Sequence, residues 1–300
     1  MRNFTKFTVA AICAFSAAVS ASAQNRTDLL WVIGDATPYG WSCDDATAIV
    51  APSDSKVYTG TMYLEAGKDF KFLTKYDFGN IEYRAEDANA TPGADGKVKL
   101  VYTAADPDNK IHVTESANYL ITVDTEALEA TIVKSDYQES QVRYASLFIV
   151  GSVLTTGYAV DEGLVMIQDA QSPMTYAAAD ADLGEGSFKI ATALKGAGTW
   201  NPQYWYFRDV DDASKMVLNA EGDNQWSVEK AGKYNVKANL LTNTLNIEDA
   251  ASSGIDAVVS RPADGPATYY TIDGRKIANP ASGSLVIKIA ADGTATKVRF

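Results

Sequence analysis

From Leu29 to Ile289 the apolar positions fall in short runs rich in Val, Ile, Tyr, Phe and Thr, separated by Gly, Asp, Asn and Pro. β-branched and aromatic side chains fit a pleated, half-buried surface, and the intervening residues supply turn conformations, so the pattern predicts strands joined by tight turns. Tyr58 to Leu64 runs into Ala66-Gly67-Lys68, and Lys97 to Tyr102 runs into Asp106-Pro107-Asp108-Asn109. Helical periodicity with end caps is nearly absent; Tyr176 to Leu183 is the one faint helical candidate.

The runs repeat. Leu29-Leu30-Trp31-Val32-Ile33-Gly34 corresponds to Ser146-Leu147-Phe148-Ile149-Val150-Gly151, and Phe70-Lys71-Phe72 to Phe188-Lys189-Ile190. Asn118-Tyr119-Leu120-Ile121 likewise matches Lys233-Tyr234-Asn235-Val236, and each is followed by a further strand-like run, Ala130-Thr131-Ile132 and Thr244-Leu245-Asn246-Ile247. The three offsets are 117, 118 and 115 positions, a register that chance motif matches would not keep. Two modules follow, Arg26–Tyr137 and Arg143–Asp249. Seven or so short strands in a module of this size read as an antiparallel β-sandwich. The small-residue linker Ala250-Ala251-Ser252-Ser253-Gly254 precedes a tail, Ile255–Phe300, with hairpin text: Tyr269-Tyr270-Thr271-Ile272, the turn Asp273-Gly274, then Arg275-Lys276-Ile277, and later Leu285 to Ile289.

The first 23 residues combine a basic start (Arg2, Lys6), an apolar stretch (Phe7 to Ala18) and the small-residue site Ala21-Ser22-Ala23, which together predict a cleaved export signal and a mature start near Gln24. Cys13 lies inside the apolar stretch after Ile12, so a lipid-modified N-terminus is not expected. Cys43 is then the one remaining cysteine, and no intramolecular disulfide can form. No other segment offers the ~18–20 consecutive apolar residues of a membrane helix. Loss of the leader removes two basic residues and no acidic ones, leaving 24 basic against 38 acidic and a net charge of −14. That sign disfavours nucleic acid and anionic lipid as partners and suits a neutral ligand.

Catalytic constellations are sparse. His112 is the single histidine, which excludes multi-imidazole zinc sites; it alternates with Ile111 and Val113 and reads as an ordinary strand residue. The acidic residues cluster in turn text such as Asp44-Asp45, Asp106-Pro107-Asp108 and Asp209-Val210-Asp211-Asp212, where Asp serves backbone hydrogen bonding. No Asp-x-Asp-x-Asp-Gly calcium loop and no Gly-rich phosphate cradle occurs. The expectation is a non-catalytic protein with no cofactor and no metal.

A sugar presents apolar C–H faces and hydroxyl edges, so a sugar site needs a flat exposed aromatic with polar groups beside it. Trp31 alternates with Leu29 and Ile33 and reads as core, as does Phe148. Trp41 follows the turn Thr37-Pro38-Tyr39-Gly40 and either faces solvent or folds over the sandwich end; Gly157-Tyr158 occupies the corresponding place in the second module. From Gly196 to Arg208 five aromatics stand among Gly, Pro, Asn and Arg. Trp200, before Asn201-Pro202, reads as a loop-borne stacking residue, and strand alternation either buries Tyr204 and Tyr206 and exposes Trp205 or does the reverse. Trp226 is open to both readings.

Leu30-Trp31-Val32-Ile33-Gly34-Asp35-Ala36-Thr37, Gly40-Trp41, Tyr58-Thr59-Gly60-Thr61-Met62-Tyr63-Leu64, Ala66-Gly67, Phe70-Lys71-Phe72 and Asn118-Tyr119-Leu120-Ile121-Thr122-Val123-Asp124 resemble the modules of SusE/SusF-like outer-membrane starch-binding proteins of Bacteroidetes. The resemblance covers both modules and is stronger in the first. It implies an all-β chain of tandem immunoglobulin-like sandwiches that hold malto-oligosaccharide without hydrolysing it. The implied sites pair Trp41 with Lys71 and Tyr158 with Lys189, with Arg84 and Arg208 as further donors; Trp200 and Trp205 complete the candidate set. The implied partners are a glucan-like polysaccharide or oligosaccharide and outer-membrane glycan-uptake proteins, at the cell surface or outside the cell. The family is typically lipid-anchored, and this chain lacks the anchor cysteine. Its tail instead resembles a Bacteroidetes secretion-sorting region through Tyr269 to Ile277 and Gly283 to Ile289, with Ser284-Leu285-Val286 where an aromatic is usual. The alternative expectation is a structural or adhesive surface protein whose sandwiches make protein contacts only.

Overall fold

The computed structural model describes residues 28–52, 55–194, 204–250, 268–271, 275–281, 284–289 and 295–299. The leader and Trp200 therefore lie outside the described residues. The described chain is all-β and antiparallel, with no α-helix and one short 3₁₀ turn at Val160–Glu162. No described helix is long and apolar enough to cross a membrane.

The first half contains β1 (Asp28–Ile33), β2 (Thr47–Ala51), β3 (Val57–Leu64), β4 (Lys68–Leu73), β5 (Glu82–Ala85), β6 (Lys97–Thr103), β7 (Ile111–Val113), β8 (Ala117–Asp124) and β9 (Glu129–Lys134). Pairing runs β1-β2-β3-β8-β9-β6-β5-β4, and β4 returns to β1, so the hydrogen-bonded ring closes while β7 adds to β4. Closure removes the exposed sheet edges that invite aggregation. The second half contains β10 (Ser146–Gly151), β11 (Leu164–Gln168), β12 (Thr175–Leu183), β13 (Gly186–Ala191), β14 (Trp205–Arg208), β15 (Met216–Leu218), β16 (Trp226–Val228), β17 (Gly232–Asn239) and β18 (Thr244–Asp249). Its order, β15-β14-β13-β10-β11-β12-β17-β18 with β16 on β13, matches the first half strand for strand. The faint helical text at Tyr176–Leu183 is strand β12: Ala-rich propensity yields to a long ladder with β17.

Each half has its own interior. Alternation along β8 sends Tyr119, Ile121 and Val123 inward and Leu120 outward, and Phe70, Phe72, Phe188 and Ile190 enter their respective cores. The first strands are buried on both faces. Leu30 and Val32 fill the first core, while Trp31 and Ile33 join Leu73, Phe148, Val150, Ala191 and Trp205 in a third cluster between the halves. Side-chain amide bonds of Gln168 to the backbone of Thr61 (2.7 and 3.0 Å) and the Ser146 hydroxyl bond to Ala48 O (2.8 Å) fix the same seam. Trp31 and Phe148 are core, as expected, in a core that exists because the module is duplicated.

Two glycines explain part of the repeat. A Cβ on Gly34 would lie 2.2 Å from Asp69 O, and one on Gly151 would lie 2.1 Å from Ser187 O, so neither position tolerates a side chain. Each glycine N–H donates across the next loop, Gly34 to Gly40 O (3.0 Å) and Gly151 to Gly157 O (3.1 Å), and Gly40 and Gly157 share φ of 62°. The loops so closed carry Trp41 and Tyr158.

The chain up to Ile247 forms one compact unit and Glu248–Phe300 a second. The second is a four-stranded antiparallel sheet of β19 (Thr268–Thr271), β20 (Lys276–Ile277), β21 (Leu285–Ile289) and β22 (Ala295–Arg299), ordered β20-β19-β21-β22. Tyr269 pairs with Ile277 and Tyr270 with Lys276, so the expected hairpin forms but its register is one residue off the one a two-residue Asp273-Gly274 turn would give. Strand β22 has no counterpart in the sequence reading.

Candidate functional site

On β4 and β13 the residues between the core aromatics point outward. Lys71 and Lys189 occupy this equivalent place, and both are nearly buried, at 3% and 7% exposure. A lysine ammonium buried to that degree needs compensating partners. The two halves supply different ones.

In the first half the neighbouring strand β5 presents Glu82 and Arg84. Lys71 Nζ lies 2.7 Å from Glu82 and 3.0 Å from Asp108; Arg84 Nε lies 2.8 Å from Glu82 and 3.2 Å from Asp108. Arg84 Nη1 also donates to Ala105 O (2.9 Å). Lys110 reaches Asp108 at 3.2 Å and stands 5.6 Å from the centre of the Trp41 ring, while Lys71 stands 5.5 Å from that of Phe78. Trp41 is 37% exposed and Phe78 44%, so two aromatic surfaces flank a buried ionic network. Partial burial works to raise the Asp108 carboxyl, but hydrogen bonds from Lys71 and Lys110 and the charges of Lys71 and Arg84 outweigh it and hold it below the usual carboxylate range.

In the second half β14 presents Trp205 and Phe207 at the places of Glu82 and Arg84. Register fixes the equivalence, since Leu73 pairs with Glu82 and Ala191 with Trp205. Lys189 Nζ lies 4.9 Å from the Trp205 ring and 5.0 Å from that of Phe207, and 2.8 Å from Asp223, the counterpart of Asp108. The hydrogen bond from Lys189 holds Asp223 below the usual carboxylate range against the opposing effect of partial burial, with Gln225 contributing a second bond. The Tyr158 hydroxyl donates to Gln225 Oε1 (2.6 Å) and lies 2.9 Å from Ser187 Oγ. Tyr158, Phe207 and Gln225 are half-buried and Asp223 is exposed, giving an aromatic and amide surface around one neutralised lysine.

Each sequence candidate can now be placed. Trp41 is exposed on its loop, and Tyr158 holds the equivalent position. Lys71, Arg84 and Lys189 are buried, and the carboxylates beside them compensate their charge. Trp205 is 7% exposed and packs into the seam between halves, with Lys189 over its ring. Tyr206 is also buried, so both faces of β14 are covered and neither arm of the alternation reading holds alone. Arg208 donates to Gln225 O and Asp209 O (both 2.9 Å), which fixes the loop before β16. Trp226 is core: 2% exposed, stacked on Phe188 and bonded through Nε1 to Ala213 O. His112 is half-buried on β7, with Nδ1 2.8 Å from Asp69. Cys43 is half-buried near Phe78; burial pushes its thiol up to about 11, with Asp77 and Asp44 adding to the effect, which disfavours a reactive thiolate.

Glu82, Asp108, Lys110, Phe78, Asp223, Gln225 and Phe207 were not among the candidates. The offset that carries Tyr119 to Tyr234 also carries Asp108 to Asp223, a signal hidden because both aspartates sit in turn text. No cluster of three or more metal-ligating side chains occurs among the described residues.

Comparison with solved structures finds likenesses to set beside this geometry. A similar solved structure is SusF from Bacteroides thetaiotaomicron. The identity is 16% and the TM-score 0.28, over 73% of this chain and 47% of that one. No protein-family model matches the chain, and no curated protein matches it. This chain thus spans about half the length of the solved chain.

Proposed function

We propose that the protein is an exported, cell-surface binder of a neutral, glucan-like glycan, which it holds without cleaving. The observation that carries this reading is the reuse of one arrangement in both halves: an aromatic just after a glycine-closed turn, linked through Lys110 in the first half and Gln225 in the second to an aspartate that neutralises a strand-borne lysine. Such a surface offers a flat apolar ring for sugar C–H groups and fixed donors and acceptors for hydroxyls. The negative net charge of the chain favours an uncharged ligand. The resemblance of both halves to starch-binding modules supports a glucan and an outer-membrane setting.

Affinity electrophoresis of the mature chain against a panel of polysaccharides tests the reading. Retention by a starch-like glucan is expected, with Trp41→Ala and Lys189→Met each weakening it about tenfold if the residue is a contact hot spot. No retention by any glycan, or unchanged retention by both variants, would refute the assignment; sustained release of reducing sugar would refute its non-catalytic part. A second reading, a surface protein making protein contacts only, is favoured by one feature: Trp205 is buried in the seam.

A further inference from the structure

Strand alternation separates two faces of β5. Glu82 and Arg84 point outward to Lys71, whereas Tyr83 points the other way and packs against the first-half core. At its end of the fold, Tyr83 pairs with Tyr102 of β6 and their rings stack, with centroids 4.7 Å apart and planes 29° from parallel. Tyr102 is 50% exposed. Tyr58 lies close enough to Tyr83 and Asp28 for their charges to raise its phenol, burial being the larger cause, and Thr125 lies against Tyr83. Its counterpart by register in the second half, Leu218 opposite Tyr206, is 43% exposed, so this position is open in both halves and the first half places there a ring backed by a second ring, with phenol and threonine hydroxyls near it.

The second half shows what this end of the fold accepts. There Tyr206 takes the place of Tyr83 and is buried in the second core, on which Tyr39 of the first half also packs, stacked on Tyr144 (5.5 Å, 23°) and tilted against Tyr204 (6.1 Å, 50°). Position 144 corresponds by the repeat offset to Thr27, which has no ring.

We propose that Tyr102, backed by Tyr83, is a second glycan-contact platform, distinct from the lysine-centred sites, that takes the flat face of a pyranose ring. The inference rests on the glycan-binding reading. Two platforms on one rigid half raise avidity for a long polymer through effective concentration, more than for a short oligosaccharide.

The test uses the mature chain and maltoheptaose, with tyrosine nitration by tetranitromethane read by peptide mass spectrometry. Saturating maltoheptaose is expected to suppress nitration of Tyr102 severalfold, in the wild type and in a Trp41→Ala/Lys189→Met double variant. Adding Tyr102→Ala to that double variant should weaken retention by amylopectin at least about tenfold. Its melting temperature should stay close to that of the double variant, because a half-exposed ring contributes little to the core. If Tyr158 is protected by the sugar and Tyr102 is not, the second platform is overturned and the lysine-centred sites stand. If Tyr102→Ala leaves amylopectin retention unchanged, the platform is likewise overturned. If neither tyrosine is protected and no glucan is retained, both readings fall together.

Discussion

Lys71 and Lys189 occupy the same place on the same strand of a duplicated fold, yet one sits between two carboxylates and the other has one carboxylate and two rings. In the first half Glu82 and Asp108 share Lys71 and Arg84, a network whose members cover one another and leave Trp41 and Phe78 at its edge. In the second half the positions of Glu82 and Arg84 are Trp205 and Phe207, so a single lysine–aspartate pair sits between aromatic faces. The backbone thus preserves a cation at a fixed point, and two residues on the adjacent strand decide whether its surroundings are ionic or aromatic. A buried ion network needs its buried members, because Lys71, Glu82 and Arg84 have lost most of their water. In the aromatic surround the charge is met by Asp223 and by the electron-rich faces of Trp205 and Phe207.

Three substitutions sharpen that contrast, in descending order of expected effect. Trp205→Ala should cost ~3–5 kcal/mol, since it removes a buried ring from the seam and leaves a cavity; a melting temperature unchanged from the parent would show that the seam does not depend on it. Glu82→Ala should cost roughly 3 kcal/mol by leaving Lys71 and Arg84 to share Asp108, whereas Lys71→Met combined with Glu82→Leu should recover most of that loss in chemical denaturation. Equal losses in the single and double variants would contradict the ionic account.

The smallest effect is on pH dependence. Asp108 and Asp223 both titrate below their ordinary value in the folded chain, so their ion pairs contribute stability above the usual carboxylate pKa of about 4 and lose it as pH falls through the lower folded value. The difference in melting temperature between the parent and Asp223→Asn should therefore be constant from neutral pH down to about 5 and shrink below about 4. A difference that changes between pH 8 and 6 would point to another group.

Strand text, turn text and the repeat determined much of this protein without any structure. β-branched and aromatic alternation is a local property of a pleated chain, so the all-β class, the correspondence of the halves, and the existence of the Tyr269 hairpin were legible in order and spacing. The glycines at 34 and 151 were visible as repeated letters, but their cause is a carbonyl about two ångströms from where a side chain would begin. Only the tertiary structure decided which outward faces were outward to solvent. Trp31 and Phe148 stand on outer faces that meet each other, and Trp205 joins them, because packing one half against the other converts surface into core. The same holds for charge: Lys71 and Lys189 read alike in sequence, and their difference lies in partners 11 to 37 positions away that register and loop path bring within about three to five ångströms. Pattern reports which side of a strand a residue takes, and contact alone determines what waits on that side.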